Sequence, residues 1–193
     1  MLSTRFTKHA LVTEAHKTLQ PYLSAHSITI DATTGNGHDT LFLARHSQKV
    51  YAFDIQKAAI DATRLRLQKS DYTHKVKLIH AGHESMLEHI SENKKIDAII
   101  FNLGYLPHSD QSIVTQKNST LCALNHALSL LSPKGIISIL AYPGHPGGTA
   151  EMHSVIHWYQ QLDDSDFTIT LIHSMQETMA SPRLFIIQAS VRQ

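Results

Sequence analysis

The chain has 193 residues, of which 42% are hydrophobic and 17% charged, as in an ordinary globular protein rather than a disordered chain. No run approaches the ~20 apolar residues of a membrane-spanning helix, so no membrane association is expected. The formal net charge of +1 argues neither for nor against a nucleic-acid partner.

The length fits one domain, and we expect residues 1–193 to form it, with residues 1–26 as an N-terminal helical extension packed on it. The N-terminus is polar and broken by charges, so no signal peptide is expected. The single cysteine, Cys122, cannot form an internal disulfide and is expected in the core. A cytoplasmic location is the corresponding prediction.

The spacing of apolar residues predicts the secondary structure in chain order. Residues 1–26 are predicted to be helical with an interruption at Pro21, because Leu11, Ala15 and Leu19 recur at helical spacing. Strands are then predicted at 28–31, 50–54, 76–80, 96–102 and 135–142, alternating with helices at 40–45, 58–68, 86–90, 119–131 and 150–162. Two further strands, 167–172 and 184–189, follow with no room for a helix between them.

This alternation predicts an α/β fold, a mostly parallel sheet with helices on both faces. The first five strands are near-continuous apolar runs, which is typical of parallel strands buried on both sides. The last two strands are expected to form an antiparallel hairpin added at one edge of the sheet.

The turn after the first strand is the most informative segment. Gly35 and Gly37 let the backbone approach a ligand, and ligands of open α/β sheets lie beyond the carboxyl ends of the strands. Thr40 occupies the third glycine position of a dinucleotide fingerprint, and no Gly-Lys-Ser/Thr phosphate loop follows. Asp54, at the end of the second strand, suits the hydroxyls of a ribose. A cofactor with a ribose and no phosphate fits, and S-adenosylmethionine is that cofactor.

Each part of this cofactor has an expected partner. Asp54 is expected to accept hydrogen bonds from both ribose hydroxyls, and Asp31 with the turn amides to bind the amino and carboxylate groups of the methionine part. Gly82 and His83 are expected near the adenine. The alternative is that the glycines only make a tight turn. The predicted cofactor-binding residues are Asp31, Thr33, Gly35, Asn36, Gly37, Asp39, Thr40, Asp54, Ile55, Gln56, Gly82, His83, Asn102 and Leu103.

The loop after the fourth strand, residues 102–107, is the first candidate for the acceptor site. Asn102 offers a carbonyl acceptor and Tyr105 a flat ring that can stack on a base. The loop resembles the Asn-Pro-Pro-Tyr signature of methyltransferases that modify an amino nitrogen, with Leu103 and Gly104 where the two prolines would be. The alternatives are a core aromatic for Tyr105 and a turn former for Asn102.

The loop after the fifth strand, residues 142–148, is the second candidate. It is rich in glycine and proline and would form a stiff wall of the substrate pocket. His145 is the candidate proton acceptor, since its unperturbed pKa is near ~6.5, and Tyr142 could stack or donate a hydrogen bond. A structural role for His145 is the alternative, and Glu151 is interpreted as a first-turn residue that favours the helix dipole. The predicted catalytic residues are Asn102, Tyr105, Tyr142 and His145.

Basic side chains are concentrated in one segment of the chain. This basic cluster contains Lys57, Arg64, Arg66, Lys69, Lys75 and Lys77. It could hold phosphates, or it could simply be a solvated helix face. The 15 histidines are scattered and match no zinc motif, so no metal site is predicted.

Together, the segments 31–40, 102–107 and 142–148 resemble the family of small class I methyltransferases labelled rRNA methylases, which includes the tRNA 5-aminomethyl-2-thiouridine methyltransferase of Gram-positive bacteria. The resemblance extends over nearly the whole chain, including 119–121 and 181–182. It implies a seven-stranded Rossmann-like sheet with an antiparallel terminal strand, S-adenosylmethionine as donor, S-adenosylhomocysteine as product, and a homodimer.

The resemblance also implies the acceptor, the exocyclic amine of a modified uridine at the wobble position in the anticodon loop of tRNA. The family label implies rRNA instead, and near-zero net charge suits a small molecule. Two other classes stay open. One is a nicotinamide-dependent oxidoreductase, against which the missing third glycine argues. The other is a non-catalytic protein that binds the same cofactor.

Overall fold

A computed structural model describes residues 8–91, 93–106, 114–173 and 181–190. Its centre is a seven-stranded sheet in the order β3-β2-β1-β4-β5-β7-β6. The strands are β1 (Ile28–Asp31), β2 (Lys49–Asp54), β3 (Val76–His80), β4 (Ile96–Leu103), β5 (Leu131–Ala141), β6 (Phe167–His173) and β7 (Arg183–Ala189).

Six α-helices accompany the sheet in the described part of the chain. They are α1 (Lys8–Leu19), α2 (His38–His46), α3 (Lys57–Lys69), α4 (Met86–His89), α5 (Lys117–Leu130) and α6 (Gly148–Tyr159). Short 3₁₀ turns lie at Gln20–Tyr22, Thr73–Lys75 and His83–Ser85. None of the described helices is both long and apolar enough to cross a membrane.

The predicted α/β sheet is confirmed, including its antiparallel part. β1 to β5 pair in parallel, whereas β7 runs antiparallel to both β5 and β6. The hairpin therefore adds to the β5 side of the sheet, with β6 as the edge strand. β1 pairs with β2 on one side and β4 on the other, so the strand order reverses at β1, where ligands of such sheets bind.

The sheet is covered on both faces, as its apolar strands require. On one face, α5 and α6 bury residues such as Leu124 and Trp158 against Phe53 and Phe101. On the other, α1, α2 and α3 pack on alternate strand residues such as Ala98 and Ile100. Leu11, Ala15 and Leu19 of α1 are all buried there, while residues 1–7 lie outside the described residues.

Two details of the prediction are wrong. β5 begins at Leu131 rather than at 135, because Leu131 already pairs with Ile96, and a register shift between Ile96 and Ala98 absorbs the extra residues. Cys122 is exposed rather than in the core. Its helix turns Ala123, Leu124 and Ala127 toward the sheet, and Cys122 lies off that stripe.

Candidate active site

The turn between β1 and α2 is held in place by contacts from its neighbours. Gly35 and Gly37 have φ values of 51° and 75°, which favour glycine. A Cβ on Gly37 would lie 2.6 Å from Oγ1 of Thr63 on α3. That same Thr63 hydroxyl donates to the Gly35 carbonyl at 3.1 Å. The second glycine is thus required by both its dihedral angle and its close contact with α3.

Asp54 is joined to this turn through backbone amides. The Gly35 amide donates to one carboxylate oxygen at 2.9 Å, and the Gln56 amide donates to the other at 2.8 Å. Burial raises the pKa of Asp54, while these amide hydrogen bonds oppose the rise. Ile55 beside it is 54% exposed. The carboxylate is therefore fixed at the end of β2 on the turn side, next to an exposed apolar side chain.

Asp31 is completely buried at the end of β1. Its carboxyl group accepts from the Thr33 amide at 3.2 Å and from the Thr40 hydroxyl at 2.5 Å. Burial, followed by the charge of nearby Asp39, raises its pKa to about 7. Thr40 is buried as well, so this hydrogen bond is shielded from water.

Asp39 connects the turn to the end of β4. Nε2 of His16, on α1, lies 2.5 Å from one Asp39 carboxylate oxygen, and the Asn102 carboxamide nitrogen donates to the other. Because a carboxylate can only accept, the nitrogen of Asn102 must face Asp39 and its carbonyl oxygen must face away. The Asn102 amide also donates to the Thr33 hydroxyl at 2.6 Å, so the residue is fixed at both ends.

The two acceptor loops meet around a pair of glycines. The rings of Tyr105 and His145 are edge to face with centroids 6.1 Å apart. A Cβ on Gly104 would contact Tyr142 Cδ2 at 3.7 Å and His145 Nε2 at 3.9 Å, and a Cβ on Gly148 would clash with that nitrogen at 2.7 Å. The structure thus brings Tyr105, Tyr142 and His145 together just beyond the end of β4, the strand that carries Asn102, and Pro107 lies outside the described residues.

His145 and Tyr142 differ in their surroundings. Nδ1 of His145 lies 3.1 Å from the Pro146 carbonyl, whereas Nε2 is buried with no hydrogen-bond partner among the described residues. Burial, with the charge of Asp39, raises the pKa of Tyr142, so its hydroxyl stays protonated at neutral pH. Nε2 of His145 is therefore a buried nitrogen that faces Gly104 and Gly148 and has no partner among the described residues.

Two predicted cofactor contacts lie deeper than expected. His83 is buried, with Nδ1 3.2 Å from the Ala32 carbonyl beneath the turn, and burial lowers its pKa, which keeps it neutral. Leu103 is fully buried in the core, so only its backbone is available to a ligand.

Two polar residues of this region were not predicted as site residues. The sequence pattern places His16 only in the N-terminal helical extension. Glu151 does lie in the first turn of α6 as interpreted, yet it is buried and accepts from the hydroxyls of Thr115 at 2.8 Å and Thr120 at 2.6 Å. It therefore ties α6 to α5 and to the segment that follows the first acceptor loop. Neither contact follows from a local sequence pattern.

The predicted basic cluster divides into separate parts. Lys57 and Arg64 both pair with Asp61 on the exposed face of α3, which is the solvated helix face of the alternative interpretation. Arg66 donates to the Asn36 carbonyl at 2.7 Å and contacts His38, so it supports the turn. Lys75 lies elsewhere, next to β3.

A turn of this kind at the reversal of a mixed sheet, with one antiparallel strand beside β5, defines the class I methyltransferase fold. A protein-family model described as "Putative rRNA methylase" matches residues 50–188. The chain belongs to this rRNA methylase family.

Individual relatives agree with this assignment. A chloroplastic tRNA (mnm(5)s(2)U34)-methyltransferase of Arabidopsis thaliana is 36% identical over 185 residues, which cover 90% of this chain and 68% of that protein. A methyltransferase from Streptococcus mutans, solved in complex with SAH, is 36% identical with a TM-score of 0.85, covering 92% of this chain and 97% of its own. An rRNA methylase structure from Clostridium thermocellum is 32% identical with a TM-score of 0.87, covering 92% and 96%.

Proposed function

We propose that this protein methylates the exocyclic amine of 5-aminomethyl-2-thiouridine at the wobble position of tRNA, with S-adenosylmethionine as donor. The observation that carries the proposal is the fixed orientation of Asn102, whose carbonyl oxygen faces away from Asp39 and is available to an amine. The Arabidopsis relative, named for a methylated aminomethyl uridine at position 34, supports the choice of acceptor.

The donor is S-adenosylmethionine, in keeping with the family and with the SAH bound by the Streptococcus mutans relative. When bound, it supplies an electrophilic methyl group on a sulfonium. The residues at the ends of β1 and β2 are suited to bind S-adenosylmethionine. Asp54, oriented by two backbone amides, would accept from ribose hydroxyls, and the Asn36 and Gly37 region would face the methionine part. Asp31 would act mainly by fixing the turn through Thr33 and Thr40.

At the acceptor, Asn102 would accept a hydrogen bond from the amine and aim its lone pair at the methyl group. The nitrogen forms a bond to the methyl carbon as the carbon–sulfur bond breaks, and the sulfur keeps that electron pair. The resulting ammonium then loses a proton, for which Nε2 of His145 is the candidate acceptor. Tyr105 and Tyr142 would form the walls against the base. Alignment of this kind accounts for much of the rate enhancement in such displacements.

The direct test is nucleoside mass spectrometry of tRNA that carries the unmethylated aminomethyl uridine, incubated with purified protein and S-adenosylmethionine. We expect conversion to the methylaminomethyl nucleoside, with loss of that conversion in Asn102→Ala. Parallel reactions on rRNA test the function that the family description names. Methylation of rRNA with unchanged tRNA would contradict the proposal. A homodimer and a cytoplasmic location stay predictions.

A further inference from the structure

A group of lysines surrounds one aromatic ring at the amino ends of β2 and β3. We call Lys49, Lys75, Lys77 and Lys94 the lysine patch. The ammonium of Lys49 lies 4.9 Å from the centroid of the Tyr51 ring, and those of Lys77 and Lys94 lie 5.8 Å from it. Lys94 also donates to the Tyr51 hydroxyl at 3.1 Å. Three cations are therefore gathered around one ring, which is itself buried.

The fourth lysine is fixed by carbonyl groups. Lys75 donates to the carbonyl oxygens of Ala44 at 3.1 Å and Ser47 at 3.0 Å, at the end of α2. These contacts hold its ammonium at the end of α2 without a carboxylate partner, and the residue lines the same cavity as the other three lysines. Burial alone would raise the pKa of the Tyr51 hydroxyl, but the hydrogen bonds and charges of Lys94 and Lys49 outweigh it and lower the pKa. The electrostatic potential at the patch is therefore positive.

The patch lines a surface cavity of about 580 Å³. His74 and Gln48 complete the polar lining, and no acidic residue lines the cavity among the residues that the structure describes, which do not include Glu92. Asp97, at the start of β4, is engaged by the Ile28 amide and by the Ser132 hydroxyl. The contrast with α3 is clear, because its Lys57 and Arg64 share a carboxylate. Like charges held this close, with no carboxylate partner among the described residues, favour an anionic ligand.

The form of the cavity distinguishes an extended anion from a small one. All of its cationic side chains are half-exposed or exposed, and they follow the outer strand β3 and its neighbour β2. In an enclosed site for a small anion, buried donors would instead surround the anion on several sides. A cluster of hydrated ammonium groups on an open surface suits neighbouring phosphates of a nucleic-acid backbone.

The patch and the candidate active site lie at opposite ends of the same strands. β2 runs from Lys49 in the patch to Asp54 in the site, a length of about 17 Å at ~3.3 Å per residue. An RNA bound at the active site can extend over this distance along the sheet edge. We propose that the lysine patch binds the phosphodiester backbone of the RNA substrate, away from the nucleotide that is methylated. This inference rests on the proposed function in taking RNA as the substrate.

The test is the salt dependence of tRNA binding, measured by fluorescence anisotropy with labelled tRNA between 50 and 300 mM salt. The Lys49→Gln/Lys77→Gln double variant is expected to lower the slope of log affinity against log salt by about 1.5, since each lost phosphate contact removes roughly 0.7 to 0.9. Affinity at 150 mM salt should fall roughly tenfold. The affinity for S-adenosylmethionine, measured by titration calorimetry, should not change.

A matched control removes the same charge elsewhere. Lys17 and Lys69 are exposed on α1 and α3, outside the patch, and Lys17→Gln/Lys69→Gln should leave the slope near that of the wild type. Equal slopes and affinities for the two double variants would overturn the proposal. A second outcome would also overturn it. If the Lys49→Gln/Lys77→Gln variant lost the binding of tripolyphosphate, used as a small anionic probe, but bound tRNA like the wild type, the patch would be a small-anion site.

The assay also separates the two proposals from each other. If the wild type binds tRNA but methylates no wobble uridine, the proposed function fails, while the slope comparison still decides the role of the patch. If the protein methylates the wobble uridine and both double variants bind tRNA like the wild type, only the patch proposal fails.

Discussion

Asn102 donates a hydrogen bond from its carboxamide nitrogen to the carboxylate of Asp39, which lies 63 residues earlier in the chain. The second carboxylate oxygen of Asp39 lies 2.5 Å from His16. A side-chain amide can rotate by half a turn at little cost in shape, and Asp39 prevents this because it offers no donor. The orientation of the proposed acceptor-binding oxygen is thus set by a residue outside its own loop.

Replacing Asp39 by Asn should therefore impair catalysis more than cofactor binding. An amide at this position can donate as well as accept, so Asn102 loses its unique orientation. We expect kcat to fall roughly 10- to 100-fold, the size of effect expected for misplaced reacting groups, with a smaller change in the dissociation constant of S-adenosylmethionine. Methyl transfer kinetics and calorimetry measure the two quantities. A variant with wild-type kcat would show that the orientation of Asn102 does not matter.

Asp54→Ala should weaken the binding of S-adenosylmethionine. The carboxylate is oriented by the amides of Gly35 and Gln56, and its loss removes charge-assisted hydrogen bonds worth about 1.5–3 kcal/mol each. We expect the dissociation constant, measured by titration calorimetry, to rise by at least about a factor of 100. Asp54→Asn keeps the shape and one acceptor oxygen, so its loss should be smaller. Equal affinity for wild type and Asp54→Ala would remove Asp54 from the cofactor site.

The buried Asp31 makes stability depend on pH. Its pKa is raised from 3.8 to about 7 in the folded protein, mainly by burial. Between about pH 4 and pH 7 the folded state keeps a proton that the unfolded chain releases, so the contribution of this group falls as pH rises. The loss amounts to about 4 kcal/mol at most, from ~1.4 kcal/mol per pKa unit.

Urea unfolding at several pH values measures this effect. Asp31→Asn should reduce the fall in the free energy of unfolding between pH 4.5 and pH 7.5. Asp164 is exposed and serves as a control, because Asp164→Asn should leave the pH profile of the wild type intact. Parallel profiles for wild type and Asp31→Asn would mean that the Asp31 carboxyl is ionised in the fold throughout this range.

Gly37→Ala should destabilise the fold. An alanine at this position would have to adopt the left-handed conformation of Gly37, with φ of 75°. Its methyl group would lie 2.6 Å from the Thr63 hydroxyl. The two effects together should cost about 2–4 kcal/mol of unfolding free energy. Gly144 is the matched control, since a Cβ there meets no atom within 4 Å. Gly144→Ala should change stability by less than about 1 kcal/mol, and equal effects at both positions would contradict this account of the turn.

Much of the fold follows from the sequence, because buried parallel strands are continuous apolar runs. β3 was predicted over its exact span, and β1 likewise. The start of β5 was not, because Pro133 to Gly135 reads as a turn. Only the pairing of Leu131 with Ile96, a tertiary contact, carries the strand back to that residue.

In the candidate site, too, some residues follow from the sequence and others do not. The turn at 31–40 and Asp54 were predictable, since each follows directly from a strand end. His16 and Glu151 were not, because their partners lie 23 and more than 30 residues away in the chain. Such contacts depend on how helices pack, which a local pattern does not specify.

The place of α1 has a consequence for how two distant parts of the chain depend on each other. Leu11, Ala15 and Leu19 pack in the cluster that includes Leu184 and Ile186 of β7. The helix that carries His16 therefore docks on a surface to which β7 contributes. A substitution that loosens β7 should thus also disturb the helix that holds His16 beside Asp39, although the two lie in different layers of the fold.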